Sequence, residues 1–266
     1  MTQVQTHERQ SVPGVENMLA VSSGKGGVGK STISVNLAVA LAANGLRVGL
    51  MDTDIYGPNV PGMLGVDTKP QVDPATGKIG PAEAHGVRII SMGMLVDAGV
   101  PVIWRGPMLA KMISQFLFQV DWGELDVLLL DLPPGTGDVQ ISLTQTAPLT
   151  GALIVTTPSQ LALEDVARGV KMFQQTEVPL LGLIENMSSF VCPSCHGASH
   201  PFGQGGGEAA ASGFQMPFLG SVPLEPAVRA GADEGTPAIL AHPDTAASKA
   251  LAQIAKQVQQ QITSAG

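Results

Sequence analysis

Short apolar runs alternate along the chain with longer stretches in which apolar residues recur every three or four positions. MLAVSS (18–23), LRVGLMD (46–52), VRIISMGM (87–94), LDVLLLD (125–131), GALIVTT (151–157), PLLGLIENM (179–187) and PFLGSVP (217–223) read as strands. Several are apolar throughout, as strands buried on both faces must be. Between them, STISVNLAVALAANG, PMLAKMISQFLFQ, DVQISLTQTA and SQLALEDVARGVKMFQQ carry helical spacing. Strand and helix in alternation imply right-handed crossovers. The expected fold is therefore α/β, three layers (α/β/α) about a doubly wound, mostly parallel sheet.

Residues 1–17 are polar and unpatterned and are expected to form a loose tail. Residues 18–266 show no internal repeat and no linker, so a single domain is expected, ending in an amphipathic surface helix, TAASKALAQIAKQVQQQI. Two stretches break the alternation. Residues 57–86, rich in Gly and Pro, read as an irregular excursion or small hairpin, and residues 188–207, SSFVCPSCHGASHPFGQGGG, as a Gly- and Ser-rich loop after a strand. Loops at the carboxyl ends of strands are where open α/β sheets collect function.

Composition narrows the class. At 266 residues and 44% hydrophobic the chain can bury a large core, and with only 4% aromatics that core must be built from Ala, Val, Leu, Ile and Met. A net charge of −8 argues against an unselective nucleic-acid binder. The start of the chain has no apolar signal region and no run approaches the ~18 residues of a membrane span, so a cytoplasmic location is expected. Two cysteines are too few for a disulfide framework, and their spacing in a reducing compartment points to metal or redox chemistry.

The strongest motif is GKGGVGKST (24–32). Gly24, Gly29, Lys30 and Ser31 fill the pattern G-x-x-x-x-G-K-[ST] between a strand and a helix. Its glycines let the backbone wrap phosphates, so that N–H groups and the positive helix end point at them. Gly26, Gly27, Val28 and Thr32 complete the loop; Lys30 would bridge the β- and γ-phosphates of ATP and Ser31 would hold Mg²⁺. Asp131, at the tip of LDVLLLD, can support the metal through water, or cap a turn. Of Asp52 and Asp54 in MDTDIYGPN, one could polarise the attacking water and the other support the metal, although D-x-D at a strand end is also turn chemistry.

With lysine in its second position, KGGVGKST resembles the deviant-Walker group of P-loop ATPases, which includes MinD, ParA, the arsenite-pump ATPase and the nitrogenase iron protein. Within that group WGELDVLLLDLPPGTGD (122–138) is similar to the signature of the Mrp/ApbC family of iron–sulfur carrier ATPases, and WRGPM (104–108), ENMSSFVCPSC (185–195) and GSVPLEP (220–226) fit as well. The resemblance implies a P-loop NTPase fold and an ATPase that acts as a homodimer. It gives Lys25 a role reaching the partner's phosphates, as an arginine finger does elsewhere. It makes Asp54 the residue that activates water, places Asp131 in the second switch, gives Gly135 the γ-phosphate contact and matches Asn186 to an adenine-contacting asparagine. No N-terminal accessory domain and no N-terminal four-cysteine cluster of the kind some relatives carry is expected, so partners are expected to differ.

Cys192 and Cys195 supply two sulfurs where zinc or an iron–sulfur cluster usually takes four ligands. His196 and His200 could complete a Cys₂His₂ zinc site, but His196 adjoins Cys195 and cannot easily share its metal. The literal C-x-x-C-H string is also the covalent haem motif, which fits poorly with a nucleotide domain and no export signal. Two chains of a twofold dimer would supply four thiolates for one bridging [4Fe–4S] cluster, as the family does. The leading expectation is an ATP-hydrolysing carrier that delivers the cluster to apo iron–sulfur proteins. The alternative is a MinD/ParA-like positioning ATPase switching on membrane or DNA, against which the terminal helix lacks a Lys/Arg face and bulky apolar anchors. A reductase like the nitrogenase iron protein would have widely separated cluster cysteines.

Overall fold

The computed structural model describes residues 9–54, 57–94 and 106–265. The chain runs β1 (Val15–Ser23), α1 (Lys30–Ala43), β2 (Val48–Asp52), α2 (Val60–Met63), β3 (Gln71–Val72), β4 (Ile79–Gly80), β5 (Ala82–Ala84), β6 (Val87–Ser91), α3 (Gly106–Phe118), β7 (Leu125–Asp131), α4 (Asp138–Thr146) and β8 (Gly151–Thr156). It continues α5 (Gln160–Gln175), β9 (Leu180–Asn186), β10 (Phe190–Val191), β11 (Ala198–Ser199), α6 (Gly206–Gly213), β12 (Phe218–Val222), α7 (Pro226–Asp233), α8 (Ala238–Ala241) and α9 (Ala246–Ala265). Eight strands form one sheet in the order β12-β9-β8-β1-β7-β2-β6-β5. Every pairing in it is parallel except β5 with β6 at the edge. This is the three-layer α/β/α arrangement of a P-loop NTPase.

The strands are apolar on both sides because both sides are covered. Leu19, Val21, Val127 and Leu129 face the layer built on α1 and α9, whereas Met18, Ala20, Leu128 and Leu130 face the layer of α3, α4 and α5. The large side chains Phe116 and Trp122 are buried in the second layer, where the Trp122 indole N–H donates to the Phe116 carbonyl at 2.9 Å. The terminal helix α9 turns Leu251, Ile254, Ala255, Val258 and Ile262 into the first layer, so its apolar stripe belongs to the core.

Several details differ from the pattern of the sequence. Residues 9–17 are not a tail: Arg9 donates to the Thr176 carbonyl at 2.7 Å, Val12 is buried and Val15 pairs with Leu125. Strand pairing and a single apolar anchor outweigh the polarity of Glu16 and Asn17, and Asn17 is itself satisfied by the Asp126 carbonyl at 3.0 Å. The excursion after β2 resolves into α2, the hairpin β3–β4 and the edge strand β5. Helices α6, α7 and α8, with Gly-rich or Pro-led starts and no more than 8 residues each, are too short to be read in advance. In WRGPM, Trp104 and Arg105 lie outside the described residues, and Gly106 opens α3.

What matters for function is the order of the central strands. Because β7 lies between β1 and β2, Asp131 pairs with Val21 on one side and with Asp52 on the other. Two strand tips distant in sequence thus flank the start of α1. Leu129, fully buried in the middle of β7, should tolerate truncation poorly: Leu129→Ala is expected to lower the unfolding free energy by about 2–5 kcal/mol in urea denaturation, and a loss well under ~1 kcal/mol would contradict close packing there.

Candidate functional site: the phosphate loop and the cysteine hairpin

The loop that leaves β1 is shaped by its glycines. Gly27 and Gly29 both have φ of 81°, a left-handed conformation that side chains disfavour. A side chain on Gly24 would run into the backbone of Asp165. Gly29 is the N-cap of α1 and no side chain caps the helix, which leaves its first N–H groups for a ligand. A cleft of about 230 Å³ opens over the loop, lined by Ser23, by every residue from Lys25 to Thr32, and by Asp54, Gly57, Asn59, Met63 and Pro134. Its size and N–H-rich wall suit the phosphates of a nucleotide.

Under the cleft floor lies a buried charge cluster. The Lys30 ammonium, 6% exposed, donates to Asp131 Oδ2 at 2.8 Å. The Ser31 hydroxyl donates to the same oxygen at 2.6 Å, and Ser34 donates to Oδ1 at 2.5 Å. Asp52 is equally buried; it accepts from Ser91 Oγ at 2.8 Å and from the Asp54 N–H at 3.0 Å. Burial, followed by the charge of Asp131, pushes the Asp52 carboxyl up to about 7, against lowering by Asp54 N–H, Ser91 and Lys30. The donor set here is oxygen only, the Ser31 hydroxyl with two carboxylates, and that chemistry fits Mg²⁺.

The remaining expected residues fall in different places. Asp54 lines the cleft and its Oδ1 accepts from the Gly57 N–H at 3.2 Å. Lys25 lines it too, its carbonyl held by Ser23 Oγ at 3.0 Å. Gly135, φ 91°, donates its N–H to the Ser23 carbonyl at 2.9 Å, and Pro134 is the residue of that turn in the cleft wall. Asn186, at the end of β9, donates from Nδ2 to the Val28 carbonyl at 2.8 Å, so in this conformation it braces the loop from below.

Ser34, Ser91 and Gln140 were not anticipated. Ser34 could have been, because it stands three residues after Ser31 on the same helix face. Ser91 and Gln140 carry no local signal. Gln140 braces the turn after β7 by donating to the Pro133 and Gly135 carbonyls at 2.6 and 3.0 Å.

Cys192 and Cys195 occupy the turn of the hairpin β10–β11, where Phe190 pairs with Ser199 and Val191 with Ala198. The Cys192 N–H donates to the Gly197 carbonyl at 3.0 Å, and the His196 N–H to the Cys192 carbonyl at 2.9 Å. The backbone N–H of Cys195, then that of Ser194, bonds to the Cys192 sulfur and draws its thiol below the ordinary value. Both thiols are free, Cys192 half-buried and Cys195 exposed. The Cys₂His₂ arrangement does not form. His200 Nδ1 is bonded to the Ser188 carbonyl at 3.0 Å, and among the described residues no group of three or more His, Cys, Asp or Glu could hold a metal. One chain presents two free thiols in one turn.

The charge cluster has a pH signature. Since the Asp52 pKa in the fold lies above its ordinary 3.8, the folded protein keeps a proton that the unfolded chain has lost. Stability from this group is full below 3.8 and falls as pH rises toward about 7, where Asp52 ionises beside Asp131 with only Lys30 in compensation. Asp52→Asn should remove that fall. Its gain in Tm over wild type, measured without nucleotide, is expected to be larger at about pH 8 than at about pH 5, and an equal gain at both would refute the assignment.

Comparison with known proteins agrees with this anatomy. A family model described as ParA: NUBPL iron-transfer P-loop NTPase matches residues 14–259. The iron-sulfur cluster carrier protein of Synechocystis sp. is 52% identical over 262 residues, covering 97% of this chain and 74% of the relative. An Arabidopsis thaliana iron-sulfur protein required for NADH dehydrogenase, mitochondrial, is 48% identical over 246 residues, covering 92% of this chain and 78% of the relative. Among solved structures, a nucleotide-binding protein from Archaeoglobus fulgidus in complex with ADP superposes with a TM-score of 0.74 at 36% identity, covering 84% of this chain and 88% of that one. The cell division ATPase MinD of Pyrococcus furiosus, TM-score 0.68 at 24% identity, covers 92% of this chain and 99% of that one and shares the fold. The chain therefore belongs to the ParA family of NUBPL iron-transfer P-loop NTPases.

Proposed function

We propose that this protein hydrolyses ATP as a cytoplasmic homodimer, holds a [4Fe–4S] cluster between the cysteine pairs of two chains, and passes it to apo iron–sulfur proteins. The observation that carries the reading is the hairpin turn: two free thiols, Cys195 exposed and Cys192 half-buried with backbone N–H groups at its sulfur, which make up half of a cluster's usual ligand set. A twofold axis supplies the other half. A cluster so held is accessible, as cargo must be.

In the nucleotide site Lys30 takes the β- and γ-phosphates, which draws it from Asp131, while the loop from Gly24 to Thr32 wraps them with N–H groups. Ser31, with Asp52 and Asp131 behind it, would hold Mg²⁺, which would neutralise charge on the phosphate oxygens. Asp54, in the cleft wall, orients the attacking water and accepts its proton; Gly135 releases Ser23 to contact the γ-phosphate. Asn186 contacts adenine. Lys25 reaches the phosphates of the partner subunit and offsets charge that develops during transfer. Against a positioning ATPase that grips a membrane through its terminal helix stands α9, whose apolar stripe is buried in the core.

Anaerobic reconstitution with iron and sulfide is expected to give about four irons and four sulfides per dimer, lost in Cys195→Ala; a colourless wild type holding zinc would overturn the carrier reading. Lys25→Ala should lower ATP turnover by roughly 10³-fold, in the range of an arginine-finger loss, with nucleotide still bound. Turnover within a factor of two of wild type would remove the partner-lysine role.

A further inference from the structure

The phosphate loop and the cysteine hairpin are joined by a short path through Asn186, Met187, Ser188 and His200. At its start Asn186, 7% exposed, donates to the Val28 carbonyl, and its amide fills the space beside Gly29 so closely that a side chain there would collide with it. Met187 follows with φ of 57°, a left-handed conformation that a residue with a side chain adopts only when its neighbours impose it. Next, the Ser188 N–H is bonded to the Val222 carbonyl at 3.1 Å, and the Ser188 carbonyl accepts from His200 Nδ1 at 3.0 Å. A carbonyl only accepts, so Nδ1 carries the proton. His200 directly follows β11, the second strand of the hairpin. Beneath this tether is a cleft of about 240 Å³, lined in part by Ser188, His200 and Glu208, which gives the hairpin room to shift.

Phosphate binding acts at the start of this path. Lys30 and Ser31 are both bonded to Asp131 here, and a nucleotide takes them for its own oxygens. The Val28 carbonyl just before them is held by Asn186 Nδ2 at 2.8 Å, so a shift of the loop backbone is passed to that amide. The strained turn at Met187 is where that change is taken up, since a non-glycine residue at positive φ has lower-energy alternatives nearby.

We infer that His200 is a positioning residue and that the segment Asn186–Ser188, closed by His200, makes the exposure of Cys192 and Cys195 depend on nucleotide in the phosphate loop. For its purpose the inference rests on the carrier reading. Its test does not, because it uses protein free of metal and cluster.

The test is the rate of iodoacetamide alkylation at Cys192 and Cys195, followed by mass spectrometry in reduced, metal-free protein, with and without saturating MgATP or MgADP. In wild type nucleotide is expected to change the rate about five-fold or more, a typical coupling. His200→Ala should cut the change to less than about two-fold at unaltered nucleotide affinity, and His200→Asn, whose amide N–H can replace Nδ1–H, should restore it. Met187→Gly, with Asn186 and His200 intact, should also lose the response, since glycine accepts either backbone conformation. No nucleotide effect in wild type, or a full effect in both His200→Ala and Met187→Gly, would overturn the inference. Failed reconstitution with an intact nucleotide response would remove the carrier reading and keep the link; a complete cluster with no response would do the reverse.

Discussion

The nucleotide end of this protein hangs on one buried ion pair, Lys30 with Asp131. Lys30 opens α1 and Asp131 closes β7, so the contact ties the start of the helix behind the phosphate loop to the tip of a central strand. In a water-poor interior, removing one partner strands the other charge, a loss of about 3–5 kcal/mol for pairs of this kind. Ser31 and Ser34 share the same carboxylate, and Thr53 bonds to the Asp131 carbonyl through both its N–H and its hydroxyl. The Asp52 carboxyl alongside keeps its proton up to about pH 7, and its ionisation adds a second negative charge that a cation would offset.

The cysteine end obeys opposite rules. The hairpin β10–β11 is two residues on each side, mostly exposed, and held by hydrogen bonds to strand ends rather than by apolar burial. Elements of that kind open and shift at low free energy. The turn itself aims the N–H groups of Cys195 and Ser194 at the Cys192 sulfur and draws its thiol down. The tightly packed phosphate-loop floor and the lightly anchored cysteine turn both lie at the carboxyl ends of one sheet, where open α/β folds collect function.

Much of this was legible in the chain. Seven apolar runs located the seven strands of the parallel part of the sheet, because strands buried on both faces leave a continuous apolar signature. The phosphate loop could be read from GKGGVGKST, since wrapping phosphates with backbone demands glycines at set places. The weaker elements were not legible: α6, α7 and α8 and the pairing of residues 15–17 depend on neighbours far away in sequence, and short Gly-rich or polar segments carry no periodicity of their own.

By itself the sequence determined the alternation of strand and helix, the identity of the phosphate loop and the presence of two thiols in one turn, because each is a local demand on residue type. Only the tertiary structure decided that Asp52 and Asp131 stand side by side, since that follows from β7 inserting between β1 and β2. Only it decided that Asn186 braces Val28, and that His200 turns to Ser188 rather than to the cysteines. Those pairings join residues from about ten to more than 150 positions apart, and no local pattern encodes them. They are set by strand register and by the requirement that buried polar groups find partners.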